Sequence, residues 1–285
     1  MTMKIFDGGW DIDSSYPFLK YIKSKFNIDF YVDTPLYNNN DNKKIYIQVE
    51  PNSVVNHHEF LTNNNSKYDY VLCHDASYIK TNGISYIPSV TWINPSCYQN
   101  VDTSIKKFKI SHMSGWKNFT IGHNVRQDIY MYQSLFTNFP ITFFRSGVSP
   151  QLPNINNNPT IPTLLEDKVV LFTDYQFSII VENAKENNYI SEKLVDCLIM
   201  KTIPIYYGCP NISKYYNTKG WIIIESSSSS DVLSELQERL KTLNESYYES
   251  FKDDIETNYR IALSYSNFAN NLLTALKQIP FIESV

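Results

Sequence analysis

The stretch VENAKENNYISEKLVDCLIMKTIPIYYG, residues 181–208, places two Asn-rich turns, a Ser-Glu-Lys triplet, an apolar helix and a β-branched strand in immediate succession. Ser191 can accept from the orphan N–H groups of a first helical turn, after which Leu194, Val195, Leu198 and Ile199 fall on one stripe. The flanking runs FSIIVEN and TIPIYYG are short and rich in β-branched residues, as strands covered on both faces of a parallel sheet are. Strand, helix and strand in this order make one βαβ unit, and the helix then starts at the carboxyl end of the first strand. Ligands of open α/β sheets bind there, and a helix N-terminus favours an anion through its dipole and free N–H groups. Lys193 in the first turn opposes the dipole unless an anion lies in front of it. Glu192 beside it can accept from two ribose hydroxyls, as acidic residues do in dinucleotide sites. By itself such a triplet also begins many solvated helices.

The same alternation extends outward in both directions. MKIFDG, IDFYVDT, KKIYIQVEP and YDYVLCHD read as strands; SYPFLKYIKSKF and SVVNHHEFL between them read as helices. NPSCYQNVDTS, residues 94–104, carries turn residues and little periodicity, which predicts a hinge. A second series follows, with FKISHMSG, ITFFRSG and GWIIIES as strands and GHNVRQDIYMYQSL as a helix. For LLEDKVVLFTDYQF periodicity does not choose between helix and strand. After the Ser run at 226–230 the chain reads as helical to its end. The expected architecture is α/β, with an N-terminal Rossmann-like domain at 1–104 and a C-terminal one at 105–285 carrying a helical tail.

Composition narrows the class. The chain has 285 residues, 42% apolar and 15% aromatic, with a net charge of −4. That suits a packed globular protein and excludes nucleic acid as the primary partner, since no basic run or excess exists. Cys73, Cys97, Cys197 and Cys209 are widely spaced without CxxC or Cys/His ligand spacing, so zinc is not expected and a reduced interior is. Neither a signal-like apolar segment at the N-terminus nor a run approaching ~18 apolar residues is present, and the expectation is a soluble, cytoplasmic protein. GxGxxG and GxxxxGK[ST] are both missing, against a dinucleotide fold of the usual kind and a P-loop.

The run FSIIVENAKENNYISEKLVDCLIMKTIPIYYGCPNI, residues 177–212, resembles the signature of the α1,3/4-fucosyltransferases. That signature has a Phe-Glu-Asn strand end, a Tyr-Val/Ile-Thr/Ser-Glu-Lys helix start and a Pro-Val/Ile-x-x-Gly strand end. The likeness is specific over this segment and weaker elsewhere. It implies a GT-B fold, with two Rossmann-like domains facing across a cleft, and a GDP-sugar donor held by the C-terminal domain. It also implies inversion at the sugar carbon with no required metal, a divalent ion at most stimulating turnover. Carried over by position, Glu192 would hold the ribose, Lys193 the diphosphate with Ser191 at the same helix start, Tyr189 the nucleoside side, and Glu182 and Asn183 the sugar end. Arg126 resembles the arginine that neutralises the diphosphate, a role suited to bidentate phosphate contact. Arg145 is a weaker phosphate candidate, and His123, Tyr207 and Trp221 read as packing residues. Val181 and Ala184 depart from the family's aromatic and small Ser/Thr at those positions, which leaves the sugar open.

QVEPNSVVNHHEFL resembles the N-domain segment that carries the family's proposed general base, and Glu50 falls on it, with Asp75, Asp7 and Glu59 as alternatives. The expected function is an inverting glycosyltransferase moving a sugar, L-fucose foremost, from its GDP carrier to a hydroxyl of a glycan acceptor. The alternatives are a transferase of the same fold using another nucleotide sugar, and a catalytically silent GDP or glycan binding protein.

Overall fold

A computed structural model describes residues 4–6, 9–11, 17–33, 41–147, 151–161 and 167–282. The chain divides into two compact units. The first comprises residues 1–88, 186–189 and 267–285. Its strands β1 (Lys4–Phe6) and β2 (Gly9–Asp11) form an antiparallel pair. After helix α1 (Pro17–Phe26) comes a four-stranded parallel sheet in sequential order. It contains β3 (Ile28–Val32), β4 (Lys43–Ile47), β5 (Tyr70–Cys73) and β6 (Gly83–Ser85), with α2 (His57–Asn64) between β4 and β5. The helix expected from Ser53 begins later, because the Asn56 side chain caps it by accepting from the Glu59 amide. Pro51 to Val55 form a turn ahead of it.

The second unit comprises residues 89–185 and 190–266. Within it lie α3 (Pro95–Tyr98), β7 (Lys107–Ser114), α4 (Ile121–Met131), β8 (Ile141–Ser146) and β9 (Thr160–Ile161). Then come β10 (Tyr175–Val181), α5 (Glu192–Ile199), β11 (Ile203–Tyr207) and β12 (Ile222–Ile223). Helices α6 (Ser229–Leu240), α7 (Tyr247–Ser250) and α8 (Lys252–Tyr265) follow, and α9 (Phe268–Leu276) belongs to the first unit. The sheet order β12-β11-β10-β7-β8-β9 is parallel throughout.

Every residue of β10 and β11 is buried, as their continuous apolar character requires of central strands. Phe177 and Ile205 are fully enclosed, with Val125 and Ile129 of α4 packed into the same core. Val181 and Tyr207 belong to that core too, so the departure at Val181 is a change of packing. Within the ambiguous segment Asp167–Leu171 form a 3-10 turn and Tyr175–Phe177 open β10, while residues 164–166 lie outside the described residues. Among the described residues no helix is long and apolar enough to cross a membrane.

Burial also sets the acid sensitivity of the fold. Desolvation lowers His57 and His112 to about 4 and His74 and His123 to about 3. An unfolded histidine titrates near 6.5, so between pH 6.5 and 4 the unfolded chain binds these protons and the folded chain does not. Stability therefore falls as the pH drops through that window. Asp196, raised by burial to about 6, and Glu182, also raised by burial, oppose the trend by holding protons in the folded state. The expected net effect is a loss of stability toward acid, since four histidines outnumber the two carboxyls. Urea midpoints that stay level from pH 7 to 4.5 would contradict it.

Candidate active site

The strand order of the second unit reverses at β7, whose neighbours are β10 on one side and β8 on the other. Loops that leave the carboxyl ends of β7 and β10 therefore diverge to opposite faces, and this switch point is where open α/β sheets bind ligands. Helices α4 and α5 both start there. Thr120 caps α4 by accepting from the His123 amide, and Ser191 caps α5 by accepting from the Lys193 amide.

The carboxyl end of β10 is tied to both helices. Arg126, in the second turn of α4, donates from Nη2 to the Val181 carbonyl and to Asn183 Oδ1, each at 2.9 Å. The Gly122 amide donates to the Asn183 carbonyl at 3.2 Å. Glu182 is fully buried; its carboxylate accepts from the Ser191 amide at 3.0 Å and from Ser191 Oγ at 2.5 Å, with Lys193 Nζ at 3.9 Å. Burial pushes its carboxyl pKa up, and Lys193 and Ser191 only partly offset this. Lys193 Nζ also lies 3.3 Å from Glu192 Oε1 and 3.2 Å from Ser191 Oγ. Burial alone would raise Glu192, but Lys193 and Lys168 outweigh it and hold the group at about 2, fully ionised at neutral pH. Two cations, Arg126 and Lys193, thus converge on residues 181–183 beside a helix N-terminus. That arrangement can neutralise a diphosphate while Glu192 accepts hydroxyl protons.

Gly122 is required by the close approach of α4 to that turn. A Cβ there would meet the Glu182 carbonyl at 1.9 Å and the Asn183 carbonyl at 2.6 Å, both backbone atoms. Gly122→Ala should displace the turn and lower stability by about 2 kcal/mol in urea unfolding. An unchanged midpoint with unchanged ligand affinity would refute that.

Glu50 and Tyr189 are placed in the first unit. Glu50 follows β4 at the carboxyl edge of its sheet and is partly exposed. Its amide and that of Val49 donate to the two carboxylate oxygens of Asp33, at 3.0 and 2.7 Å, and its carbonyl accepts from Gln48 Nε2 at 3.1 Å. Asp33 follows β3 with φ +50°, a left-handed conformation that Asp tolerates better than most residues. Tyr189 is buried with its ring 5.4 Å from that of His74. In the same segment the Glu186 carboxylate accepts from the Asn52 and Ser53 amides, at 2.7 and 2.9 Å. Asp75 is likewise at a strand end and accepts from the Ser77 amide, Glu59 sits in the first turn of α2, and Asp7 lies outside the described residues. Arg145 donates to the Leu152 carbonyl at 3.1 Å and to Thr160.

Sequence reading missed Lys168 and Trp92. Lys168 is buried, 3.8 Å from Glu192 Oε1 and 3.9 Å from the centre of the Trp92 ring. It arises from the turn whose periodicity was undecided, and a lysine there carries no local signal. Sequence reading also passed over one Asp-x-Asp run, Asp11-Ile12-Asp13, which lies outside the residues whose side chains are described. Among the described residues no three His, Cys, Asp or Glu gather at metal-binding distance.

Residues 112–274, more than half of the chain, match the model of glycosyltransferase family 10 (fucosyltransferase), C-terminal region. The chain belongs to glycosyltransferase family 10. The matched residues of this family 10 chain include Arg126, Glu182, Asn183, Ser191, Glu192 and Lys193. Among relatives, an α-(1,3)-fucosyltransferase of Helicobacter pylori, FucT, is 26% identical over 106 residues, covering 37% of this chain and 22% of that protein. α-(1,3)-Fucosyltransferase B of Drosophila melanogaster is 34% identical over 119 residues, covering 41% of this chain and 26% of that protein. The matched part of the chain thus spans about a quarter of the length of these relatives. A crystal structure of an α1,3-fucosyltransferase with GDP superposes with a TM-score of 0.54 at 14% identity, covering 99% of this chain and 93% of that one. At that identity the likeness is one of fold, and the fold is that of the GT-B glycosyltransferases.

Proposed function

We propose that this family 10 chain is an inverting transferase that moves fucose from GDP-fucose to a hydroxyl of a glycan acceptor, in a single in-line displacement. The observation that carries the reading is the convergence of Arg126 and Lys193 on the end of β10, inside the segment that matches the family. In this reading the acceptor hydroxyl loses its proton to Glu50 as it attacks the sugar carbon, and the bond from that carbon to the diphosphate breaks. Negative charge grows on the departing GDP, where Lys193, Arg126 and the α5 N-terminus stabilise it. Glu192 holds the ribose, and Asn183 and the end of β10 face the sugar. Glu182 serves through Ser191 and Lys193, since its own oxygens are taken. A cytoplasmic location is part of the proposal, resting on the spread of its cysteines, and cell fractionation checks it.

The test is a thermal-shift panel of GDP, UDP, CMP and their sugars. At 100 times its Kd a true ligand adds ~2.7 kcal/mol of stability. GDP and GDP-fucose should do so and the UDP and CMP compounds should not. A response to UDP compounds alone would replace the donor, and GDP binding with no product from any acceptor would favour a silent binding protein. Metal independence is tested separately: transfer should survive excess EDTA within a few-fold. Complete loss restored by a divalent ion would bring Asp11-Ile12-Asp13 forward as ligands.

A further inference from the structure

Glu192 has two lysines within ion-pair reach, and they are not equivalent. Lys193 Nζ is nearer, at 3.3 Å, on a side chain 22% exposed, and has Glu182 and Ser191 Oγ as further partners. Lys168 Nζ is at 3.8 Å on a side chain only 8% exposed. Its ammonium lies 3.9 Å from the centre of the Trp92 ring, a favourable seat for a buried cation. Trp92 is itself anchored, because its amide donates to Asp196 at 2.9 Å and the neighbouring Thr91 hydroxyl donates to the same oxygen at 2.7 Å. Lys168 is thus a fixed cation and Lys193 a partly solvated one.

The difference matters once an anion arrives. A diphosphate at the α5 N-terminus draws Lys193 toward itself and away from Glu192. Glu192 is only 13% exposed, and an inward-facing carboxylate stripped of its cations is strongly disfavoured. We propose that Lys168 is a positioning residue of the donor site: it stays on Glu192 when Lys193 changes partner, so that the carboxylate remains ionised and aimed at the ribose. This rests on the GDP-sugar reading above and deepens it. Guanosine, which has no phosphate, asks nothing of Lys193 and gains little from Lys168.

Calorimetric titration of Lys168→Met with GDP and with guanosine tests the proposal without an acceptor. The GDP Kd should rise at least tenfold and the guanosine Kd stay within threefold of the unaltered protein. Lys168→Arg, which keeps the cation, should restore GDP affinity to within threefold. In a Lys193→Ala background Glu192 has only Lys168 within ion-pair reach, so Lys168→Met should there weaken GDP and guanosine by similar factors of at least threefold. Equal losses for GDP and guanosine in the protein that keeps Lys193, or no loss of either ligand from Lys168→Met in the Lys193→Ala background, would overturn the proposal. So would failure of both Lys168 variants to fold, which would make the residue structural only. If the unaltered protein binds no GDP, the donor reading itself fails. If it binds GDP and only the Lys168 pattern fails, the donor reading stands.

Discussion

Glu50→Gln should keep the fold and the affinity for GDP while lowering fucose transfer by at least ~10²-fold, the usual cost of losing a general base. The amide is isosteric, and two main-chain contacts anchor the residue: Asp33 on its N–H and Gln48 on its carbonyl. Substituting the side chain therefore leaves the local backbone bonds in place. Initial rates of GDP release from GDP-fucose, with GDP titration alongside, separate chemistry from binding. Near-normal turnover would pass the role to Asp75, and an unfolded variant would make Glu50 structural.

The second large effect concerns the cations. Lys193→Ala should weaken GDP by ~1.5–3 kcal/mol, roughly 10- to 150-fold, and guanosine far less, because the lost contact is a charge-assisted one to phosphate. The fold should tolerate it: Glu182 keeps both bonds from Ser191, and Glu192 keeps Lys168. Arg126→Ala should act in the same direction, with a loss of stability added because its guanidinium also holds the Val181 carbonyl and Asn183. Equal weakening of GDP and guanosine would mean that these residues shape the pocket without meeting the diphosphate.

Some parts of the molecule were readable because their determinants are local. The α5 start is one: a cap, an apolar stripe and two β-branched flanks lie within the contiguous run 177–208 and specify strand, helix and strand without help from elsewhere. The start of α2 was misjudged because Ser53 and Asn56 are both good caps, and the turn at Pro51–Val55 decides between them. Glu182 was assigned to a sugar, whereas its oxygens meet Ser191 and Lys193 within the fold. Spacing along the chain shows that a carboxylate ends a strand, and only the path of the following loop shows where its oxygens go.

What the sequence determined by itself was the alternation of strands and helices, the parallel character of the central strands, and the residues gathered at the start of α5. Each follows from short-range periodicity and capping chemistry. The tertiary structure decided which groups each of these carboxylates meets. It set Asp33 on the amides of Val49 and Glu50, Arg126 on the end of β10, and Lys168 against Trp92 and Glu192. These pairs are separated by many residues, and their energies come from burial and charge that exist only once the sheets have formed, so no local pattern encodes them.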